Sequence, residues 1–499
     1  MSEKLIREAN ERAAKYFSRR HFLQDFAAGI GATALGSLIG GCNIFSSSGS
    51  PAGAGMPQSL NPLAPKAPQF PARAKNVIYL HMAGAPSQLE MFDYKPDLQK
   101  LHNQLCPQSL LQGKKFAFIR GVPKMLGPQA KFQQYGESRQ WVSDYMPHFS
   151  TMVDEVSFLK GVHTDQFNHG PAQLFMHTGS ARLGRPSIGA WVTYGLGSEN
   201  SNLPGFVVLT SGGKTPDAGK SVWGSGFLPS VYQGVQCRSK GDPVLYITDP
   251  EGMDRDMRYQ SIQAINEVNK LEYETFADAE TLSRISQYEL AYKMQISVPG
   301  VMDISDEPEY IQQLYGTKPG QESFANNCLL ARKLVEKGVR FVQLFDWGWD
   351  AHGTGEDTAI DLGMRNKCTE IDKPITALLM DLKQRGLLDE TLVVWGGEFG
   401  RTPMQENREG KEMPFLGRDH HAEAFTMWMA GGGIRKGYTW GETDEIGFSV
   451  VKGKVAVHDI HATMLQQLGF DHEKLIYNFQ GRPFRLTDVE GHVIHEILG

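Results

Sequence analysis

Short, mainly apolar runs punctuate this chain, separated by longer stretches in which leucine and isoleucine return every three or four residues. Residues 76–80, 206–209, 244–247, 341–345, 392–395 and 425–429 are such runs, with the length and texture of strands buried on both faces. Residues 322–337 and 364–385 carry the helical period. Alternation of the two predicts an α/β fold, a largely parallel sheet sandwiched by helices. Residues 254–296 are polar and helical in pattern, expected as a helical insertion packed on the body or a partial lid. Ligands in such sheets bind beyond the carboxyl ends of the strands, so polar clusters that follow apolar runs are where chemistry is sought.

Four such clusters occur. Asp346-Trp347-Gly348-Trp349-Asp350-Ala351-His352 follows the 341–345 run, and in extended backbone Asp350 and His352 share a side. A carboxylate and an imidazole so placed suit one divalent metal. Gly396-Gly397-Glu398-Phe399-Gly400-Arg401 follows the 392–395 run. Glu398 can ligate there, and Arg401 can clamp an oxyanion through two parallel hydrogen bonds. Arg418-Asp419-His420-His421 gathers four ionisable groups just before the 425–429 run, and His458-Asp459-Ile460-His461 opens a helix. Five of the fifteen histidines fall in these clusters beside acids, which points to a bound divalent ion.

The first residues read as an address. Ser18-Arg19-Arg20-His21-Phe22-Leu23 is a twin-arginine pattern, and the small-residue run after it ends in Leu38-Ile39-Gly40-Gly41-Cys42, a lipoprotein-type cleavage site. The expected organisation is a signal peptide over 1–42 with lipidation at Cys42, a Ser-, Gly- and Pro-rich tether over 43–73, and one body over 74–499. Export would pass through the twin-arginine translocase, and the only membrane contact expected is the lipid anchor. A net charge of −6 provides no basic footprint, so nucleic acid is not an expected partner. Cys106, Cys237, Cys328 and Cys368 contain no C-x-x-C pair; disulfides and buried thiols are both compatible with their spacing.

The segment from His169 through Gly170-Pro171-Ala172-Gln173-Leu174-Phe175-Met176-His177 to Thr178-Gly179 resembles the active-site signature of sulfatases: Cys or Ser, any residue, Pro, Ser, Arg, four mostly apolar residues, Thr, Gly. His169 stands where sulfatases carry their nucleophile, which rules out formylglycine chemistry there. Through Gly84-Ala85-Pro86-Ser87-Gln88-Leu89-Glu90, Gly184-Arg185-Pro186-Ser187-Ile188-Gly189-Ala190-Trp191, the Gly396 to Pro403 segment and Phe484-Arg485-Leu486-Thr487-Asp488, the body is identified as a member of the DUF1501 family, sulfatase-like bacterial proteins of the alkaline phosphatase superfamily. Two departures stand out. The acidic pair of the first sulfatase strand is missing from His81-Met82-Ala83-Gly84, and Glu398-Phe399 replaces the Asp-His expected of a phosphatase.

The resemblance implies an alkaline-phosphatase-like scaffold and a divalent cofactor, with zinc, calcium and manganese all open. The expected activity is hydrolysis of phosphate or sulfate esters in a small-molecule or polysaccharide anion. The expected ligands are Asp350, His352, Asp419, His420, His421 and His461, with Arg401 offsetting substrate charge, Glu398 completing the shell or acting as base, and His169 nearest the reacting centre. The alternative is a non-catalytic binding or surface-assembly lipoprotein that keeps the fold without the nucleophile. A third reading gives Ser87 or Thr178 the role of hydroxyl nucleophile.

Overall fold

The computed structural model describes residues 61–244, 252–276 and 278–499. The signal peptide, Cys42, the first part of the tether and residues 245–247 of one expected strand lie outside the described residues.

Five of the six apolar runs coincide with strands of one sheet, and further strands complete it. In chain order these are β1 (Asn76–Ala83), β2 (Val156–His163), β3 (Phe206–Ser211), β4 (Val235–Cys237), β5 (Phe341–Trp347) and β6 (Thr391–Gly396). A side hairpin follows, β7 (Gly400–Gln405) with β8 (Arg418–His421), then β9 (Phe425–Ala430), β10 (Tyr438–Trp440) and β11 (Val455–Ala456). The nine-stranded sheet runs β10-β2-β9-β6-β1-β5-β3-β4, with β11 also on β2. Its pairings are parallel except the two that β9 makes, with β2 and β6.

β1 shows why these runs are continuous rather than alternating. Ile78, Leu80 and Met82 enter one hydrophobic cluster and Val77 and Tyr79 the other, so both faces of the strand are covered. On the first face lie α5 (Phe324–Glu336) and α6 (Gly363–Gln384); on the second lie α1 (His169–Thr178), α2 (Ile188–Leu196) and α7 (Val457–Gln467). The insertion is a pair of helices, α3 (Arg255–Phe276) and α4 (Ala279–Met302). Met294, Val298 and Met302 of α4 join the core beside α5, so α4 packs on the body.

One expectation changes. Residues 61–73, read as the end of a tether, are bound along the body by backbone hydrogen bonds from Lys66 to Leu196, Gln69 to Gly469 and Arg73 to Gln467. The 425–429 run is the antiparallel member of the sheet, because β9 enters from the edge where the β7–β8 hairpin ends. Cys106, Cys237, Cys328 and Cys368 are buried free thiols.

Candidate metal centre

β1, β5 and β6 are parallel and in register, with His81 opposite both Phe345 and Gly396. Their carboxyl ends therefore deliver the loops carrying Gly84, Asp350 and Glu398 to one edge. β2 runs in the same sense and hands the chain to α1, which begins at His169. The β7–β8 hairpin stands over that edge and adds Arg401 and His420.

Four side chains converge there. His169, Asp350, His352 and His420 each offer a ligand atom, all within 4.8 Å of one another. Asp350 Oδ1 lies 2.8 Å from His352 Nε2, 3.2 Å from His169 Nε2 and 3.4 Å from His420 Nε2. His352 and His420 meet Nε2 to Nε2 at 3.1 Å.

The other nitrogen of each ring is committed. His169 Nδ1 is 2.7 Å from Glu398 Oε1, His352 Nδ1 is bonded to Glu406, and His420 Nδ1 is 2.7 Å from the Phe167 carbonyl. Each of these partners is an acceptor, so each Nδ1 donates. His352 and His420 thereby aim their Nε2 lone pairs at each other and at the Asp350 carboxylate, an arrangement that is repulsive unless a proton or a metal ion lies among them, while His169 Nε2 faces the same carboxylate oxygen. Tetrahedral zinc with bonds of 2.0–2.1 Å sets neighbouring ligand atoms about 3.3 Å apart; the four donor atoms here lie within 4.8 Å of one another, with Asp350 and the His352–His420 pair at 2.8–3.4 Å. The donor set accommodates a divalent ion.

Charge around the cluster follows the same logic. Burial opposes ionisation of Asp350, but Arg401 and the three imidazoles hold it well below the usual carboxylate range. Burial also opposes charge on His169, yet its hydrogen bonds to Asp350 and Glu398 raise it to about 9. His420 is lowered to about 4, chiefly by burial. Metal binding at such a site competes with protons.

Behind these four stand groups that orient them. Glu398 is fully buried; its Oε1 accepts from the Gly84 amide at 3.0 Å and from Gln173 at 3.0 Å, besides His169. Its carboxyl is held well below its ordinary range, against burial, by His169 and His81. Glu406, also fully buried, holds His352 and pairs with Arg408 at 2.6 Å. Carboxylates that fix the tautomer of a ligating histidine are the usual companions of a metal site.

Gly84 explains the local chain path. Its φ is +111°, and a Cβ there would stand 2.6 Å from the Asp350 amide nitrogen. Only glycine permits this approach of the β1 loop to the β5 loop.

The geometry bears on several of the expected roles. Arg401 is fully buried and spends its guanidinium on Asp350 at 2.6 Å and on the carbonyls of Gly84, Ala85 and Arg418, so it positions Asp350 and has no face for a substrate anion. Glu398 lies one layer behind the ligand atoms. His169 offers a ligand atom to the four-residue cluster. His421 turns away to the Phe448 carbonyl at 2.6 Å, and His461 bonds the Met176 carbonyl at 2.7 Å; neither belongs to the four-residue cluster. Asp419 is saturated by the amides of Phe118, Ile119 and His420, although its carboxylate does approach His352 and Glu406 in a second group. Ser87 is buried and bonded to Glu90, and Thr178 is bonded to the Leu174 carbonyl, which removes both as exposed nucleophiles. Glu406 was missed by the sequence reading; its one signal is an acid in the Gln405-Glu406-Asn407 segment at the end of β7.

Comparison with known proteins places the chain at the level of family. The DUF1501 profile, described as a protein of unknown function, matches residues 74–498. The chain belongs to the DUF1501 family. No curated protein matches it. Solved structures similar to this DUF1501 chain include a sulfatase from Pseudoalteromonas sp., 11% identical, covering 80% of this chain and 69% of that one with a TM-score of 0.36. An alkaline phosphatase from the Antarctic bacterium TAB5 is 12% identical, covering 72% and 92% with a TM-score of 0.29. A phosphonate monoester hydrolase from Silicibacter pomeroyi is 11% identical, covering 79% and 73% with a TM-score of 0.32. No helix among the described residues is long and apolar enough to cross a membrane.

Proposed function

We propose that this chain is a metal-dependent hydrolase of phosphate or sulfate esters, exported and lipid-anchored through Cys42. The observation that carries the reading is the convergence of the Nε2 atoms of His169, His352 and His420 on Asp350 Oδ1, with every Nδ1 already donating. Three imidazole nitrogens favour zinc or a similar borderline ion over calcium, which prefers all-oxygen shells. A bound divalent ion would supply a water of lowered pKa and a Lewis acid for the ester oxygen.

The protein's own part is positional. Arg401 neutralises Asp350 and fixes its carboxylate; Glu398, Glu406 and the Phe167 carbonyl hold the rings in the ligating tautomer. Asp350 keeps a side chain 35% exposed while His352 and His420 are nearly buried, so substrate approaches from the Asp350 side. α1 starts at His169, and Pro171 has no N–H, so the amides of His169 and Gly170 are free within the helix and the Asn168 side chain makes no cap. An anion beside that helix terminus is favoured by these amides and by the helix dipole. This supports an anionic ester as substrate, of small-molecule or polysaccharide origin.

Turnover of p-nitrophenyl phosphate and p-nitrophenyl sulfate by purified protein tests the reading. Hydrolysis that is lost with a chelator and restored by zinc supports it. Hydrolysis that survives full metal removal refutes it, and a metal-loaded protein inert to both esters favours the non-catalytic binding lipoprotein. For the anchor, Cys42→Ala is expected to move the exported protein from the membrane fraction to the soluble one; unchanged fractionation refutes lipidation.

A further inference from the structure

At the β10 edge of the sheet, outside the histidine cluster, a cleft of about 380 Å³ is lined by Tyr94, Trp141, Trp440 and Lys160 among others. That volume lies in the range of small-molecule sites. The rings are half-buried and braced from behind: Tyr94 stacks on Phe132 at 5.1 Å and 25°, and Trp141 leans on Tyr94 at 4.6 Å. Trp440 is fixed by strand pairing with Leu159. Rigid aromatic faces presented to solvent are apolar platforms that fold stability alone does not require.

Lys160 is the second observation. It sits half-buried in the middle of β2, between the buried residues Leu159 and Val162, and lines the cleft. Its ammonium makes no hydrogen bond or ion pair among the described residues, and burial lowers its pKa. Asp93 and Glu442 face the same cleft and act on it only at longer range. The neighbouring Lys95 contrasts with it, being tied to Asp93 at 3.4 Å and to the Thr443 carbonyl at 3.1 Å. A cation that lines the same cleft as three aromatic rings and has no ion-pair partner there is placed to take an anion.

Flat apolar rings beside hydroxyl, carboxylate and ammonium groups match a pyranose, whose C–H face is apolar and whose rim is polar. We propose that this cleft is a saccharide-binding site selective for a sugar bearing a carboxylate or sulfate, with Trp141 and Trp440 stacking on the ring and Lys160 pairing the anion. The site stands apart from the metal centre and does not depend on the hydrolase reading.

Full-length protein titrated with a hexamer of polygalacturonate, a chondroitin sulfate hexasaccharide and neutral cellohexaose, by calorimetry and tryptophan fluorescence, tests it. At least one acidic oligosaccharide is expected to bind with a Kd below about 1 mM and at least about tenfold tighter than cellohexaose. Lys160→Gln should abolish that preference, and Trp141→Ala and Trp440→Ala should each weaken binding about tenfold or more, all with unchanged metal content. Lys160→Gln keeps the test decisive if a tryptophan variant fails to fold. No binding by any of the three, equal binding of acidic and neutral sugars, or unchanged binding in Lys160→Gln would overturn the proposal.

Discussion

His352 and His420 face each other through their Nε2 atoms at 3.1 Å, while both Nδ1 atoms are used as donors to Glu406 and to the Phe167 carbonyl. Two lone pairs cannot share that space unless positive charge lies beside them. The sheet makes the encounter possible by bringing β5 to the edge over which the β7–β8 hairpin closes. Gly417 lets the two segments touch: a Cβ there would stand 2.0 Å from the His352 carbonyl carbon.

Removing the charge behind a ligating ring should loosen the ion without unfolding the chain. Glu398→Gln and Glu406→Gln keep the shape of each side chain and lose the carboxylate that His169 and His352 lean on. Each is expected to weaken metal affinity by about 10- to 100-fold, read by competition with a chromophoric chelator. Affinity unchanged in both variants contradicts the orienting role.

His421 and His461 are predicted to be irrelevant to the ion. Both nitrogens that matter are bound to backbone carbonyls, of Phe448 and Met176. His421→Gln and His461→Gln should retain wild-type metal content, with His461→Gln losing some thermal stability because the ring is buried. Loss of the ion in either folded variant would restore the ligand set expected from the sequence.

What the chain disclosed in advance divides along physical lines. Runs such as residues 341–345 and 392–395 are apolar throughout most of their length because both faces of β5 and β6 are covered, so strands and parallel order were legible. β2 was not, since Ser157, Lys160 and Gly161 interrupt it. The site was half legible. Asp350, His352 and His420 follow apolar runs or precede one, which sequence position reveals. Which nitrogen of a ring is free depends on contacts between residues as distant as His169 and Glu398, 229 positions apart. His421 next to His420 shows the limit: adjacent strand residues point to opposite faces, and only register tells which one faces the centre.

Beside the histidine cluster, Glu90 and Arg418 form an ion pair at 2.5 Å with both side chains fully buried. Arg418→Met strands the Glu90 carboxylate and is expected to destabilise the fold by about 3–5 kcal/mol, measured as a lowered urea midpoint. A midpoint equal to wild type would show that the pair contributes nothing, contrary to its burial.

Gly84→Ala places a methyl group against the Asp350 amide in backbone with φ of +111°. The substitution should cost more than about 1 kcal/mol and should reduce metal affinity by displacing Asp350, read by thermal unfolding and metal titration together. A stable variant that binds metal as tightly as wild type would contradict the close approach of the two loops.

The central claim is that one ion sits among His169, Asp350, His352 and His420, and elemental analysis of purified full-length protein tests it most directly. About one divalent ion per chain is predicted, falling to background in His352→Ala and His420→Ala that remain folded by circular dichroism. A folded wild-type protein without stoichiometric metal, even after incubation with zinc, or variants that keep the full complement, would contradict it.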